Sequence, residues 1–149
     1  ATWPKRDDDD MASGVGVADD CVSVFNDLKL KHSMKYIVYS MNDKMTEIQV
    51  LKTGGKDATY EEFLKELPEN DCRYGVFDIE YTDPKTKASR NKIAFYIWCP
   101  DTAKVRTKMI FASSKDELKK RLVGIACEVQ GSDAGDVALE TVVDRLQQI

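Results

Sequence analysis

The residues that most often carry out nucleophilic chemistry are few and widely spaced in this chain of 149 residues. The four cysteines lie 51, 27 and 28 residues apart, without a C-x-x-C motif, at Cys21, Cys72, Cys99 and Cys127. This spacing favours neither a zinc site nor a thioredoxin-like dithiol. Because Cys21 falls on an apolar helix face and Cys99 ends an apolar strand, we expect reduced thiols in a cytosolic protein.

The single histidine, His32, lies in a polar stretch. The pattern favours an exposed side chain over a catalytic base. A Cys–His nucleophile pair would need one of the core-like cysteines to reach this residue, and nothing in the spacing indicates that. Gly54-Gly55 lacks the pattern of a phosphate-binding loop and predicts a turn. We therefore expect no enzyme, metal site or cofactor, and a thiol-dependent enzyme using His32 is the rival hypothesis.

Basic side chains are the more informative group. The segment from Lys104 to Leu122 contains seven basic and two acidic residues, a local charge of +5 in a chain whose net charge is −4. A second basic group adds +4 at Lys85, Lys87, Arg90 and Lys92. Such surfaces suit an acidic protein or anionic lipid head groups. The pI of about 5.1 and the absence of a recognisable motif argue against nucleic acid.

The first ten residues differ from the rest of the chain. Trp3-Pro4, a basic pair and four aspartates precede Met11, which is typical of an expression-tag remnant over residues 1–10. Without them the net charge is −2, and residues 11–149 form a single predicted domain. The longest apolar runs, such as Ile93 to Trp98, are too short for a membrane span, and no leader precedes them. We therefore expect neither a span nor a secretory signal.

The elements that must position these residues follow from apolar spacing and capping signals. The sequence predicts a helix from Asp19 or Asp20 to about Lys31, a hairpin of Tyr36–Tyr39 with Ile48–Leu51, a short helix capped by Thr59 and Glu62, and strands over Tyr74–Tyr81 and Lys92–Cys99. Hairpins followed by helices predict an α+β domain with a mixed or antiparallel sheet covered by helices.

The basic segment after Pro100 has a helical period but two apolar sides. Val105, Met109 and Ala112 share one side, whereas Phe111, Leu118 and Leu122 share another. One straight helix cannot bury both sets. Ser114 with Glu117 resembles a capping box, so we expect a kink, or a break and restart, around Ser113-Ser114.

Several strings in the chain resemble the actin-depolymerising factor/cofilin family over essentially all of residues 11–149, especially the small single-domain cofilins of lower eukaryotes. They are Ser13-Gly14-Val15, the segment Phe25–Lys29, the segment Leu67–Tyr74, the segment Trp98–Ala103, and the long segment Val105–Asp116. The resemblance implies a mixed β-sheet flanked by helices on both faces. It also implies a monomeric, non-enzymatic protein of the cytoplasm and actin cytoskeleton.

The function implied is binding of G-actin and F-actin with preference for the ADP form, filament severing and depolymerisation; the alternative is a non-severing side-binder of the coactosin type. The resemblance places a monomer-and-filament surface at Ser13, Gly14, Arg106, Lys108, Met109, Lys115, Asp116, Lys119 and Lys120. It places a filament-specific surface at Arg90, Lys92, Asp144 and Arg145. Ser13 is the implied phosphorylation site, and phosphoinositide head groups are implied inhibitors.

The sequence departs from the family pattern at two places that affect the predicted binding surfaces. Lys104 stands where relatives commonly have proline, so the start of the long helix is expected to differ. Gln147 and Gln148 stand where relatives can carry further basic residues, which weakens the expected C-terminal filament contact.

Overall fold

The computed structural model describes residues 14–148, which form one six-stranded sheet and four helices. The strands are β1 (Gly16–Val17), β2 (Met34–Met41), β3 (Glu47–Gly55), β4 (Arg73–Thr82), β5 (Ser89–Trp98) and β6 (Ile125–Gly131). The helices are α1 (Asp19–Lys31), α2 (Tyr60–Lys65), α3 (Val105–Lys119) and α4 (Leu139–Gln147). The predicted tag, Met11 and Ser13 lie outside the described residues.

The sheet is mixed. Its strand order is β1-β3-β2-β4-β5-β6, with parallel pairing at both edges, β1 with β3 and β5 with β6, and antiparallel pairing between. Successive side chains of a strand point to opposite faces, so the central strands contribute side chains to two separate apolar clusters. The predicted α+β fold with a mixed sheet is confirmed.

Helices α1 and α3 cover one face of the sheet. Their buried side chains join inward-facing residues of the central strands in one core cluster, which includes Phe25, Leu28, Tyr74, Phe95, Phe111 and Leu118. The Tyr74 and Phe111 rings lie 4.8 Å apart between centroids, and the Tyr74 hydroxyl donates to the Phe111 carbonyl at 2.5 Å. This contact fixes the middle of α3 to β4.

Helices α2 and α4 cover the opposite face. The second cluster is rich in aromatic side chains and includes Tyr36, Tyr60, Phe63, Phe77, Tyr96, Val142 and Leu146. The Phe63 and Tyr96 rings meet edge to face at 4.9 Å, and the Tyr60 hydroxyl lies 3.0 Å from that of Tyr96. The prediction that helices flank both faces is therefore confirmed.

The local signals differ in how well they predicted the structure. The capping box of Thr59 and Glu62 is present in both of its hydrogen bonds. The prediction that Asp19 or Asp20 caps α1 is wrong, because Ala18 is the N-cap and both aspartates lie in the first turn, where they complement the helix dipole.

The prediction that Gly54-Gly55 forms a turn is also wrong. Both residues end β3, where Gly54 pairs with Tyr36, and the turn follows at residues 56–57. A Cβ atom on Gly54 would lie 2.1 Å from the Tyr36 ring. Glycine is required there because the ring of the neighbouring strand crosses its backbone.

Helix α3 continues through Ser113 and Ser114, so of the two predicted alternatives, a kink or a break and restart, the break and restart is wrong. Ser114 is buried inside the helix and is therefore not the N-cap of a second helix. The helix does not need to bury both apolar sets, since Val105 and Met109 are 68% and 66% exposed. Only the set containing Phe111 and Leu118 enters the core, and the other set stays at the surface.

The sequence analysis did not predict β1 or β6. The first is two residues long, and the second, Ile125–Gly131, lies at the edge of the sheet and contains the charged residue Glu128. No helix among residues 14–148 is both long and apolar enough to cross a membrane.

Candidate functional site

Helix α3 lies against β1, the first strand of the described residues. Gly14, just before this strand, is exposed with a positive φ of 72°. Ser13 precedes Gly14 directly but lies outside the described residues. Gly14 thus lies two residues before the strand that α3 contacts.

The first turns of α3 carry both exposed apolar area and an unengaged cation. Val105 and Met109, four residues apart, lie on one side of the helix and face solvent. Arg106 is exposed and has no hydrogen-bond or ion-pair partner within residues 14–148. Lys108 donates from Nζ to the carbonyl oxygen of Asp101 at 3.2 Å, which holds its side chain beside the start of the helix.

The second half of α3 is held by a carboxylate from β6. Glu128 accepts from Lys115 Nζ at 2.5 Å and from Lys119 Nζ at 2.9 Å. Its side chain is only 16% exposed. Burial alone would raise the pKa of this carboxyl, but hydrogen bonds from Lys115, Gln130 and Lys119 lower it to about 2. Glu128 is therefore ionised at neutral pH, and both lysines lie in fixed positions.

A second carboxylate neutralises the C-terminal end of α3. Glu117 lies 3.0 Å from Lys120 Nζ and 2.9 Å from Arg121 Nη2. Burial opposes ionisation of Glu117, and the hydrogen bonds from Arg121 and Lys120 lower its pKa. Asp116, one residue earlier, is exposed. Asp116 and Glu117 are already counted in the local charge of +5, and Glu128, from outside the segment, lowers it to +4 (seven basic against three acidic residues). The least compensated cations lie at the N-terminal end of the helix.

Two of the four predicted filament-specific residues, Arg90 and Lys92, lie near the turn of the β4–β5 hairpin, at the end away from the start of α3. Arg90 Nε is 3.0 Å from Asp83 Oδ2, and hydrogen bonds from the Lys85 and Thr86 backbones, together with Arg90, lower the pKa of Asp83. A cavity of about 150 Å³ lies between this hairpin and the end of α4, lined by Tyr81, Asp83, Pro84, Arg90, Lys92, Leu146 and Gln147. The hairpin and α4 therefore form one continuous surface.

The two predicted α4 residues differ in their contacts. Asp144 is exposed. Arg145 donates from Nη1 to the backbone carbonyl of Glu128 at 2.6 Å. This bond covers a carbonyl of the edge strand β6, which would otherwise be open to pairing with another chain.

Glu128 thus joins the two predicted surfaces. Its carboxylate holds Lys115 and Lys119 of α3, and its carbonyl oxygen holds Arg145 of α4. Sequence reasoning missed this residue. A carboxylate in an otherwise apolar strand was the available signal, but its basic partners lie 9 to 17 positions away along the chain.

The Cys–His pair considered for catalysis is not formed within residues 14–148. His32 Nδ1 lies 3.5 Å from Asp78 Oδ2, and the imidazole is 64% exposed. Burial raises the pKa of Cys21 to about 12, and the Cys21 thiol donates to the Ile48 carbonyl. Within residues 14–148 no three His, Cys, Asp or Glu side chains are grouped in a way that could hold a metal ion.

A mixed sheet between two helix pairs, with a cationic and partly apolar helix face exposed, defines a macromolecule-binding domain. The chain belongs to the cofilin family, since the model of the Cofilin/tropomyosin-type actin-binding protein family matches residues 14–147. It is 51% identical to the cofilin of Ogataea parapolymorpha over 91% of this chain and 94% of that protein. It is 46% identical to actophorin of Acanthamoeba castellanii, covering 91% and 97% of the two chains.

Solved structures agree with this assignment. The crystal structure of Streptomyces griseoflavus cofilin superimposes with a TM-score of 0.83 at 44% identity, covering 91% of this chain and 98% of that one. The family that the sequence strings predicted is confirmed.

The ion pairs of Glu128 with Lys115 and Lys119 predict a loss of stability when Glu128 is substituted. Glu128→Gln removes the charge that holds Lys115 and Lys119, and we expect the free energy of unfolding at pH 7 to fall by about 2 kcal/mol. Because the folded-state pKa of Glu128 is below its unfolded value, this contribution is present above about pH 4.5 and disappears as the pH falls towards 2. Urea unfolding of both proteins between pH 7 and pH 2 measures the difference.

The matched control is Glu61→Gln. Glu61 is exposed on α2 and has no hydrogen-bond or ion-pair partner among residues 14–148. Its substitution should change stability by less than about 0.5 kcal/mol. Equal effects of the two substitutions on the free energy of unfolding at pH 7 would show that the Glu128 ion pairs do not stabilise the fold.

Proposed function

We propose that this protein binds actin monomers and filaments, with the ADP form preferred, and that it severs filaments and promotes their depolymerisation without catalysing a reaction. The observation that carries the proposal is the outward face of α3, where Arg106 and Met109 are exposed on a helix that contacts β1. Family membership supplies the partner. The protein acts in this proposal as a monomer in the cytoplasm, at the actin cytoskeleton.

The α3 face has the composition expected of a protein-binding surface. Exposed apolar side chains such as Met109 can supply the desolvated centre of an interface. The cations around them, Arg106 and Lys108, would attract an acidic partner and set its orientation. Lys115 and Lys119 are already ordered by Glu128, so fixing them in a complex would cost less conformational entropy than fixing free lysines.

The hairpin and α4 support a separate role in filament binding. Arg90 and Lys92 lie with the end of α4 around one cavity, whereas α3 begins at the opposite end of β5. Two separate surfaces allow one molecule to contact two subunits of a filament. A protein that binds twisted filament subunits more tightly shifts the filament towards that state, and boundaries between decorated and bare segments then become sites of breakage.

Two inhibitory inputs follow from the same charges. Phosphorylation of Ser13 would add nearly two negative charges beside Gly14, where the basic surface must approach its partner. Phosphoinositide head groups would compete for the cations of α3 by the same attraction.

The double variant Arg106→Ala/Lys108→Ala should lose about tenfold or more in affinity for both monomers and filaments, because it removes the least compensated cations of α3. Filament co-sedimentation and a parallel severing assay, on protein freed of residues 1–10, measure this. Lys56→Ala/Lys65→Ala is the matched control, since both of these lysines are exposed away from α3.

The outcomes of this experiment separate the hypotheses. If the unsubstituted protein neither pellets with filaments nor raises the unpolymerised fraction, the proposed function is wrong. Binding to filaments without severing would instead assign the protein to the coactosin type. If the double variant behaves as the control does, the placement of the site on α3 is wrong.

Arg90→Ala/Lys92→Ala should weaken filament binding by about tenfold and leave monomer binding within about twofold. The reason is that these side chains lie on the hairpin, apart from α3. Monomer affinity measured by fluorescence of labelled actin, beside co-sedimentation, tests the separation. A parallel loss of both affinities would show that the hairpin is not filament-specific.

Ser13→Glu should weaken binding to monomers and filaments by about fivefold or more, because it adds a negative charge to a segment that the family resemblance assigns to the binding surface. Ser13→Ala, which changes size but not charge, should bind as the unsubstituted protein does. The same two binding assays measure both variants. Unchanged affinity of Ser13→Glu would contradict the proposed switch.

A further inference from the structure

Two of the cysteines lie opposite each other although 27 residues separate them in the sequence. Arg73 pairs with Trp98 at the end of the β4–β5 ladder, so the next positions outward, Cys72 and Cys99, face each other across the two strands. The amide of Cys99 donates to Gly131 of β6. The pair is therefore a non-hydrogen-bonded one, in which side chains of opposing residues approach most closely.

The backbone on both sides of this pair is tied together by hydrogen bonds. Trp98 Nε1 donates to the Pro68 carbonyl at 2.7 Å, and Thr102 Oγ1 donates to the Glu69 carbonyl at 2.7 Å. These two bonds join the segment before Cys72 to the segment around Cys99. The thiols thus meet without any large backbone movement, which is the geometric requirement for a disulfide.

The two thiols have different environments. Cys72 is fully buried, whereas Cys99 is partly exposed and lines a cavity of about 470 Å³ between α3 and β6, together with Lys108 and Lys115. A hydrogen bond from the Cys72 thiol lowers the pKa of Cys99, burial opposes the lowering, and the charge of Lys108 adds to it. Burial and its bond to Cys99 raise the pKa of Cys72. Cys99 is therefore the accessible, more nucleophilic thiol of the pair.

We propose that Cys99 and Cys72 form a peroxide-reactive dithiol, with Cys99 as the attacking thiol and Cys72 as the resolving thiol. The Cys99 thiol loses its proton, and the thiolate attacks one oxygen of a hydroperoxide. The O–O bond breaks, a sulfenic acid forms, and the other oxygen leaves with that proton, as water when the hydroperoxide is hydrogen peroxide. The Cys72 sulfur then displaces the sulfenic hydroxyl, which takes up the Cys72 thiol proton and leaves as a second water, and the S–S bond forms. Two thiols are oxidised by two electrons in total, and one hydrogen peroxide is reduced to two waters.

The remaining cysteines serve as internal references. Cys21 and Cys127 are buried, and they belong to separate core clusters on opposite faces of the sheet. Burial raises the pKa of both thiols. We expect both to remain reduced under conditions that oxidise Cys99 and Cys72.

The test is treatment of the folded full chain with hydrogen peroxide, followed by alkylation in denaturant, proteolysis and peptide mass mapping. The expected result is one linked peptide pair containing Cys72 and Cys99, released by a dithiol reductant, with Cys21 and Cys127 fully alkylated. This mapping needs no variant. Oxidation of Cys21 or Cys127 ahead of Cys99, or four fully alkylated cysteines, would overturn the proposal.

Variants then separate the two roles. Cys99→Ser should slow peroxide-dependent thiol loss by about tenfold or more, and Cys127→Ser, the matched control, should leave it unchanged. Cys72→Ser should still react but should accumulate a sulfenic acid, detected with a dimedone-type probe, because no resolving thiol is present. Equal rates in Cys99→Ser and Cys127→Ser would refute the assignment of the attacking thiol. None of these measurements involves actin, so their failure leaves the proposed function unaffected.

Discussion

The antiparallel pairing of β4 with β5 is the constraint on which the rest of the molecule depends. Ten consecutive register pairs join the two strands from Arg73 with Trp98 to Thr82 with Ser89. Their side-chain alternation assigns Tyr74 and Phe95 to the cluster under α1 and α3, and Phe77 and Tyr96 to the cluster under α2 and α4. A slip of one residue would exchange the two faces and remove both cores.

The same ladder sets the distance between the two proposed actin surfaces. Its hairpin end carries Arg90 and Lys92, and its open end leads through Cys99 and Pro100 into α3. An error in register would therefore also misplace the two surfaces relative to each other. The open end holds the cysteine pair as well, so the dithiol and the start of α3 depend on the same backbone positions.

The cationic surfaces are organised by three carboxylates. Glu128, Glu117 and Asp83 each accept from basic side chains, and two of the three, Glu128 and Asp83, lie outside the basic segments counted along the sequence. Paired lysines contribute less to long-range attraction, because the carboxylate cancels much of their field. They are, however, held in one geometry. Attraction is therefore expected to depend mainly on Arg106 and Lys108, and precise fit mainly on the ordered lysines of the second half of α3.

Local patterns predicted most of the fold. The period of α1, the apolar β-rich runs of β2 and β4, and the capping box at Thr59 depend on neighbours within about four residues, and all were found. The errors concern contacts between distant segments. Gly54 lies in a strand, where the ring of Tyr36 on β2 crosses its backbone. Ser114 lies inside a helix that leaves part of its apolar surface exposed. Neither relation can be derived from a window of adjacent residues.

The same limit applies to the sites. The strings shared with the family predicted which residues lie on α3, the hairpin and α4, but not how Glu128 connects them. Its three contacts come from two helices that follow different strands. The pairing of Cys72 with Cys99 likewise needs the register of the ladder, since a spacing of 27 residues indicates no particular contact.

Helix α3 leaves apolar area at the surface of its own domain. Val105 and Met109 face solvent, whereas Phe111 and Leu118 enter the core. Burying a side chain of this size contributes about 1.5–3 kcal/mol, so the free protein forgoes that stabilisation at two positions. The area becomes useful only when a partner covers it. Helix α3 is anchored on one face through Tyr74 and leaves apolar area on the other, so part of its hydrophobic free energy is available for binding rather than for folding.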